Sequence, residues 1–371
     1  MSPAHAAPQP LRIALLDSWL QSAVEGSGTA VGIGGLAEAL RRLGHHVERI
    51  APAPDNLPIT LRRLRFNLSL PRRFDPARYD LVIGFDWDGV WLPLRPAQRR
   101  HYVCSIKGII AEELQHERGR IRLLFSLLAR LEGLNARRAA RVIATSRYCR
   151  TRIAYHYRVP SERIGIVPEG IDVAAWSAAL AATPPRVDQR PTILCVARQY
   201  PRKRVRDLLD AFALLRRHLP TAQLRIVGDG PEHQRLRAQA QRLGISDSVA
   251  FLGGLPDEAV RREYAHCDVF CLPSAQEGFG IVFLEAMVAG KPIVATTAAA
   301  IPEVVQHGTS GILVPVGDVH AIAGALFALL TDAERRAAYG AAARARVQDY
   351  DWLRVAQRFL DEVAPLLVAE G

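Results

Sequence analysis

The segment SAQEGFGIVFLEAMVAGKPIVAT, residues 274–296, poses a contradiction. From Phe279 to Val288 nearly every position is apolar, as in a helix buried on all sides, yet Glu285 stands in the middle. An ionised carboxylate taken out of water is costly unless something binds it. Eight residues earlier lies Glu277, followed by Gly278 and Gly280. Glycines at a strand-to-helix turn let a backbone approach a ligand closely, and the first amides of the helix point free N–H groups at an anion. A helix beginning near Phe279 predicts Glu285 about two turns in, able to accept hydrogen bonds from sugar hydroxyls. A phosphate then sits at the first amides of that helix, and Glu277 faces whatever is attached beyond it. A second reading of the same residues stays open: Glu277 complements the helix dipole, and Glu285 pairs with a structural Arg or Lys.

Outward from this segment the chain repeats one theme. After Pro191 come TILCVA (192–197), LRIVG (224–228), VAFLG (249–253), CDVFCLP (267–273), PIVAT (292–296) and GILVP (311–315), separated by amphipathic stretches of helix length. Strands apolar on both faces, alternating with helices, belong to a parallel sheet covered on two sides. The first half shows RIALL (12–16), HHVERIA (45–51), YDLVIGF (79–85), HYVCSI (101–106), RVIATS (141–146) and IGIVPEG (164–170). Two Rossmann-like units follow: 1–177, then a proline-bearing linker at 178–191, then 192–349, with a last helical segment at 350–371. Ligands of such folds sit at the carboxyl ends of the strands, here in a cleft between two sheets.

With 371 residues, 49% hydrophobic and 23% charged, the composition is that of a globular protein and excludes a disordered or collagen-like chain. The opening MSPAHAAPQP has neither the basic residues of a secretory signal nor a membrane-spanning run after it. The five cysteines are odd in number and lack the spacing of a disulfide framework or a zinc site. The expected location is the cytoplasm. A net charge of +11 attracts phosphates, nucleic acid or anionic lipid without choosing among them. Much of it lies in 60–74 and 116–142; in the latter, Ile121, Leu124, Phe125, Leu128 and Leu131 recur at helical spacing beneath an arginine-rich face. Such a helix suits a membrane surface or a solvated domain face equally well.

Two cations join the acids. In VARQYPRKR (196–204), Arg198 and Lys203 leave the end of the second half's first strand, a placement that suits a diphosphate; Arg202 and Arg204 read as a solvated basic loop. In EGSGTAVGIGG (25–35), a helix counted back from Gly44 begins near Thr29, so Gly28 takes the phosphate-approach position. Gly32, Gly34 and Gly35 fall inside that helix, where they allow close packing at some cost in stability.

EGFGIVFLE with its two acids eight apart, VARQYPRKR, IVGDGPE (226–232), IPEVVQHGTSGILVPVGD (301–318) and IVPEGID (166–172) together resemble the retaining glycosyltransferases of family 4. The likeness spans nearly all of 11–350 and is more specific in the second half. It implies an α/β chain of the GT-B fold, two doubly wound Rossmann-like domains facing a central cleft. The first would bind an acceptor and the second a nucleotide-sugar donor, UDP- or GDP-linked. It implies that Arg198 and Lys203 hold the donor diphosphate, Glu285 the ribose, and Glu277 the transferred sugar, these being the catalytic and donor-binding groups. The amides of Gly278, Phe279, Gly280 and Ile281 would add hydrogen bonds to phosphate or sugar, Leu255 and Asp257 would lie beside the nucleobase, and Gly28 would approach the diphosphate from across the cleft. The segment DYDWLRVAQRFLDEVAPLLVAEG is similar to a terminal helix that crosses back to the first domain. No cofactor and no metal are implied. The implied partners are the nucleotide sugar and a glycan or lipid-linked acceptor, with contact to the anionic inner face of a membrane and none with nucleic acid.

Three positions depart from the pattern. Lys107 replaces a frequent histidine, Glu169 a frequent asparagine, and Ala300 a frequent glycine. Lys107 remains a candidate acceptor or sugar contact. So do Asp86 and Asp88 of GFDWDG (84–89), whose DxD spacing is that of a metal site in the other large glycosyltransferase fold and is read here as acceptor-side or structural. Alternative readings are a GT-B epimerase or phosphorylase, a homologue without activity, and a basic nucleic-acid-binding protein.

Overall fold

The computed structural model describes residues 9–19, 28–53, 56–116 and 119–367. Among the described residues twelve strands run β1 Arg12–Leu16, β2 His46–Ile50, β3 Leu81–Phe85, β4 Tyr102–Ile106, β5 Arg141–Ala144, β6 Ile164–Ile166, β7 Thr192–Val196, β8 Gln223–Val227, β9 Val249–Gly253, β10 Val269–Leu272, β11 Ile293–Thr296 and β12 Gly311–Val314. They form two six-stranded sheets, ordered β2-β1-β3-β4-β5-β6 and β12-β11-β10-β7-β8-β9. Every pairing within them is parallel. β3, β4 and β10 are buried at every position, because helices cover both faces of each sheet.

In each sheet the strand order reverses once, between β1 and β3 and between β7 and β10. Chains leaving either side of such a reversal diverge to opposite faces and open a crevice. The loops after β7 and β10 therefore border one crevice, and those after β1 and β3 another. On one face of the first sheet, Phe66 and Leu70 of the helix Ile59–Arg73, Ala136 of the helix Gly119–Arg138 and Ile153 of the helix Arg147–Tyr157 share a core. On the other face the helix Gly28–Arg42 packs with the last helix, Trp352–Leu367, through Ile33, Leu36, Trp352, Val355 and Phe359. The end of the chain thus closes the first sheet's core.

The helical glycines serve this packing. A Cβ on Gly35 would stand 2.1 Å from the Trp352 ring, and one on Gly32 would stand 2.3 Å from a Glu169 carboxylate oxygen. The helix Val173–Ala181 runs into the segment read as a linker, which is tied to the second half by Arg186, paired at 2.9 Å with Asp268. All five cysteines are buried free thiols.

The helix Gly119–Arg138 buries Ala129, Glu132, Gly133, Asn135 and Ala136, all in its second half. Ile121 and Leu124 of the apolar repeat are exposed together with Leu123 and Leu127. Only the small and polar second half of the helix meets the sheet.

Candidate active site between the two sheets

The opening segment begins its helix at Ile281 and not near Phe279, because Gly280, at φ 92°, holds a left-handed conformation and acts as the cap. A Cβ there would meet the Phe283 ring at 2.6 Å. Glu285 consequently lies one turn into the helix Ile281–Val288 instead of two. The Phe279 side chain enters the core, edge-on to Tyr350, so its amide alone remains for a ligand.

Glu285 Oε2 accepts a 2.8 Å hydrogen bond from the Tyr264 hydroxyl. Among the described residues it has no Arg or Lys within ion-pair distance, so the reading that pairs it with a structural cation fails. Burial raises its carboxyl to about 7; the Tyr264 bond opposes that rise, and the charge of Asp257 adds to it. Asp257, exposed at the start of the helix Asp257–His266, is near enough for its charge to act on Glu285. Leu255, two residues earlier, is partly buried against the core of the second half.

Across the β7/β10 crevice, Lys203 Nζ donates to Glu277 Oε1 at 2.6 Å, and Ser274 Oγ donates to the same oxygen at 2.7 Å. Glu277 is 7% exposed. The Ala275 amide joins the Arg202 carbonyl at 2.8 Å, lacing the loops after β7 and β10 together, and the Ala300 amide, after β11, reaches the Glu277 carbonyl at 3.2 Å. Arg198 is exposed and stacks beside Tyr200, with no ion-pair partner among the described residues. Its loop is braced from β8, where the Gln199 amide and side chain bond to Asp229 and Gly228 carbonyls at 2.9 and 2.8 Å.

Arg202 and Arg204 correct the reading of a solvated basic loop. Arg204 pairs with Asp207, and Arg202 reaches Glu113 of the first half at 3.1 Å.

The carboxyl ends of both sheets meet. The Gly278 carbonyl accepts hydrogen bonds from Thr145 and Ser146 hydroxyls, each at 3.1 Å. Glu303 accepts from the amides of Arg147 and Tyr148 at 2.9 and 2.8 Å, satisfying first-turn donors of a helix in the other half. Gly28 opens the helix Gly28–Arg42, and a Cβ there would come within 3.2 Å of Ile281. It therefore faces the donor-side turn across the cleft; residues 20–27 of its loop lie outside the described residues. Sequence reasoning missed Ser274, Thr145, Ser146 and Glu303. Ser274 and Glu303 stand inside quoted motifs, and Thr145 and Ser146 end the strand run RVIATS, where only their place at a carboxyl end could have singled them out.

Asp86 and Asp88 face each other inside the first half. Asp88 is completely buried and accepts from the Ser18 amide and hydroxyl at 2.9 and 2.6 Å and from Asn67 at 2.8 Å. It cannot touch an acceptor or a sugar, so that candidacy is withdrawn and the structural reading stands. Asp86, at φ 57°, accepts from the Lys107 amide at 2.9 Å and the Trp19 indole at 3.0 Å. Burial pushes its carboxyl to about 6 against the opposing pull of Arg63. It holds the backbone of Lys107 and, at 2% exposure, is no sugar contact itself. Lys107 Nζ pairs with Glu169 at 2.7 Å, joining two of the three departures from the family pattern. No cluster of three His, Cys, Asp or Glu among the described residues could hold a metal ion.

Comparison with known proteins agrees with this arrangement. Residues 180–346 match the family described as Glycosyl transferases group 1, and residues 26–175 match Glycosyltransferase Family 4. The chain is 33% identical over 291 residues, 74% of each chain, to a GDP-mannose-dependent alpha-(1-6)-phosphatidylinositol monomannoside mannosyltransferase of Mycobacterium tuberculosis. It is 31% identical over 350 residues to the phosphatidyl-myo-inositol mannosyltransferase of Mycolicibacterium smegmatis, spanning 88% of this chain and 86% of that one. The fold is that of sucrose-phosphate synthase from Thermosynechococcus elongatus, with a TM-score of 0.74, 23% identity and coverage of 96% and 98%. With cations and paired acids at the reversal point of one sheet, the ends of a second sheet closing over them, and relatives of this similarity across most of its length, the chain belongs to glycosyltransferase family 4, in the GT-B fold.

Proposed function

We propose that this glycosyltransferase moves mannose from GDP-mannose to a hydroxyl of a phosphatidylinositol-type glycolipid, with retention at the anomeric carbon. The observation that carries the reading is the Lys203–Glu277 pair beside the exposed Arg198 at the β7/β10 crevice. A diphosphate laid there meets two cations and the amides before the helix Ile281–Val288, and Glu277 faces the sugar. Bond breaking leaves negative charge on the departing phosphate and positive charge on the sugar. Fixed cations and amides act on charge as it develops, so they lower the barrier. The leaving phosphate takes the acceptor proton on the face where the acceptor attacks, and no opposing base is required. The cations also do the neutralising that a divalent metal does elsewhere. The mannose and lipid terms rest on what the mycobacterial relatives are named for.

The acceptor's location is supported by the surface of the first half. The helices Ile59–Arg73 and Gly119–Arg138 lie on one face of its sheet and expose Leu61, Leu68, Leu123 and Leu127 among arginines. The first helix has no Asp or Glu, and the second has only the buried Glu132. Leucines inserted at the headgroup level contribute roughly 1.5–3 kcal/mol each when fully buried, and the arginines add attraction to anionic lipid. No helix among the described residues is long and apolar enough to cross a membrane.

The test offers GDP-mannose and vesicles containing phosphatidylinositol to the purified protein. Mannosyl transfer is expected, insensitive to EDTA, together with cosedimentation that weakens as salt rises. Failure to transfer mannose from GDP-mannose to the lipid, or loss of activity on chelation, overturns the corresponding claim.

Glu285 gives a pH signature. Its carboxyl, raised from 4.5 to about 7, favours the neutral acid in the folded chain. Its contribution to stability is therefore present at low pH and lost as pH rises from about 4.5 to about 7. Ribose hydroxyls donate to the ionised form, so GDP affinity is expected to climb between about pH 6 and pH 8. In Glu285→Gln the affinity should be about tenfold weaker or more and flat across that range, since a hydrogen bond to a charged group is worth ~1.5–3 kcal/mol. Calorimetry showing the same slope in both proteins removes the ribose role.

A further inference from the structure

Lys107 is the first residue beyond β4, and its place in the cleft is fixed from three directions. Its amide donates to Asp86. Its carbonyl lies 3.3 Å from where a Cβ on Gly278 would stand, so it abuts the turn that carries Glu277. Its side chain, 7% exposed, passes the Phe85 ring and ends on Glu169 Oε1 at 2.7 Å.

Glu169 is itself held by shape. It is 4% exposed, and its second oxygen, Oε2, has no hydrogen-bond partner among the described residues. That oxygen rests against Gly32, where any Cβ would approach to 2.3 Å. Gly32 lies in the second turn of the helix Gly28–Arg42, near the end whose dipole favours a negative charge. An acid with an unsatisfied oxygen is retained at a cost, which requires that its other oxygen do something useful. What it does here is fix an ammonium. Among the described residues Glu169 is the sole hydrogen-bond partner of Lys107 Nζ, so two of its three N–H donors are free for a ligand.

We propose that Glu169, seated on Gly32, is a positioning residue that holds the Lys107 ammonium at the sugar end of the cleft, and that Lys107 donates from there to the sugar as it is transferred. The proposal rests on the glycosyltransferase reading and adds to it a unit drawn from three segments: the end of β4, the turn after β6 and the helix Gly28–Arg42. A lone lysine has four rotatable bonds and many positions. Pairing with a carboxylate that cannot move toward Gly32 reduces them to one, so the donor is in place before bond breaking and costs no rearrangement in the transition state. Because the diphosphate already meets Arg198 and Lys203 from the opposite half, the unit acts on turnover and not on nucleotide binding.

The experiment compares wild type, Glu169→Gln, Lys107→Gln, the double variant and Gly32→Ala. It measures kcat and KM with GDP-mannose and phosphatidylinositol vesicles, and GDP affinity by calorimetry. Each single variant is expected to lose tenfold or more in kcat while binding GDP within about twofold of wild type, which also reports an intact fold. The double variant should be no more than about threefold below the worse single one, since the two residues act as one unit. Gly32→Ala replaces neither charged group and introduces a residue that favours helix, yet it should lower kcat because its Cβ displaces Glu169. Should Glu169→Gln fail to fold, Gly32→Ala carries the test. Retained kcat in Glu169→Gln or Gly32→Ala, multiplicative losses in the double variant, or a matching loss of GDP affinity overturns the proposal. An active wild type with unaffected variants removes only this unit; a wild type that transfers no mannose removes the functional reading and the unit with it.

Discussion

Lys203→Ala is expected to lower kcat/KM by about 2–4 kcal/mol, or roughly 30-fold to 1,000-fold, the scale on which one preorganised charge donor acts. Two losses combine. The ammonium is a counter-charge for the departing diphosphate, and it is also the 2.6 Å partner of Glu277, which is 7% exposed and keeps only the Ser274 hydroxyl on that oxygen when the lysine is removed. An acid freed from its cation beside a diphosphate repels it, so KM should rise as kcat falls. Arg198→Ala removes an exposed cation that has no ion-pair partner among the described residues. Its effect should fall in KM first, and its melting temperature should stay at the wild-type value. Steady-state kinetics with GDP-mannose and thermal unfolding of both variants separate the two cases. Unchanged turnover in Lys203→Ala rejects its diphosphate role.

The distinction was partly legible in the sequence. Lys203 and Arg198 both follow a buried strand, and both read as phosphate ligands; the sequence does not say that Lys203 is shared with Glu277, 74 positions further on, because apolar periodicity reports strands and helices and not which distant polar side chains meet. Strand runs were legible since parallel strands covered on both faces must be continuously apolar. The start of the helix behind Glu285 was misread by two residues, because the pattern of apolar side chains continues through Phe279 while the backbone turns at Gly280. Periodicity reports which residues are apolar and not where the hydrogen-bond ladder begins. The same limit explains the helix Gly119–Arg138, where Ile121 and Leu124 follow a helical repeat yet stand exposed while Ala136 and Gly133 are buried. Glu169 and Lys107, 62 residues apart, each appeared as an isolated oddity against the family pattern. Only their separation of 2.7 Å turns two anomalies into one compensated pair.

Asp88→Ala is expected to destabilise the fold by about 3–5 kcal/mol, the cost of leaving a buried charge without its partner. Asp88 receives the Ser18 amide and hydroxyl and the Asn67 side chain, while Asn67 in turn accepts the Gly89 amide at 2.7 Å. Beside it Arg63, 6% exposed, lies between the rings of Trp19 and Trp87 at 4.2 and 4.8 Å, its nearest acids being Asp88 at 3.6 Å and Asp86 at 3.8 Å. Its Nε donates to Ser18 Oγ at 2.8 Å while Nη2 has no hydrogen bond, so the charge is held by one neutral hydroxyl, two ring faces and the nearby acids. Deleting Asp88 strands Ser18 and Asn67 and leaves Asp86, whose carboxyl burial already raises to about 6, as the remaining counter-charge. Since Asp86 fixes the Lys107 amide, a shift of Arg63 toward Asp86 would also disturb the wall of the cleft. Asp88→Asn keeps the shape and part of the hydrogen bonding, and should lose less. Urea unfolding measures both variants, and GDP affinity of the folded fraction should stay near wild type because Glu285, Arg198 and Lys203 belong to the other sheet. Were Asp88 instead a metal or acceptor ligand of the DxD kind, the opposite pattern would appear: wild-type stability with abolished transfer.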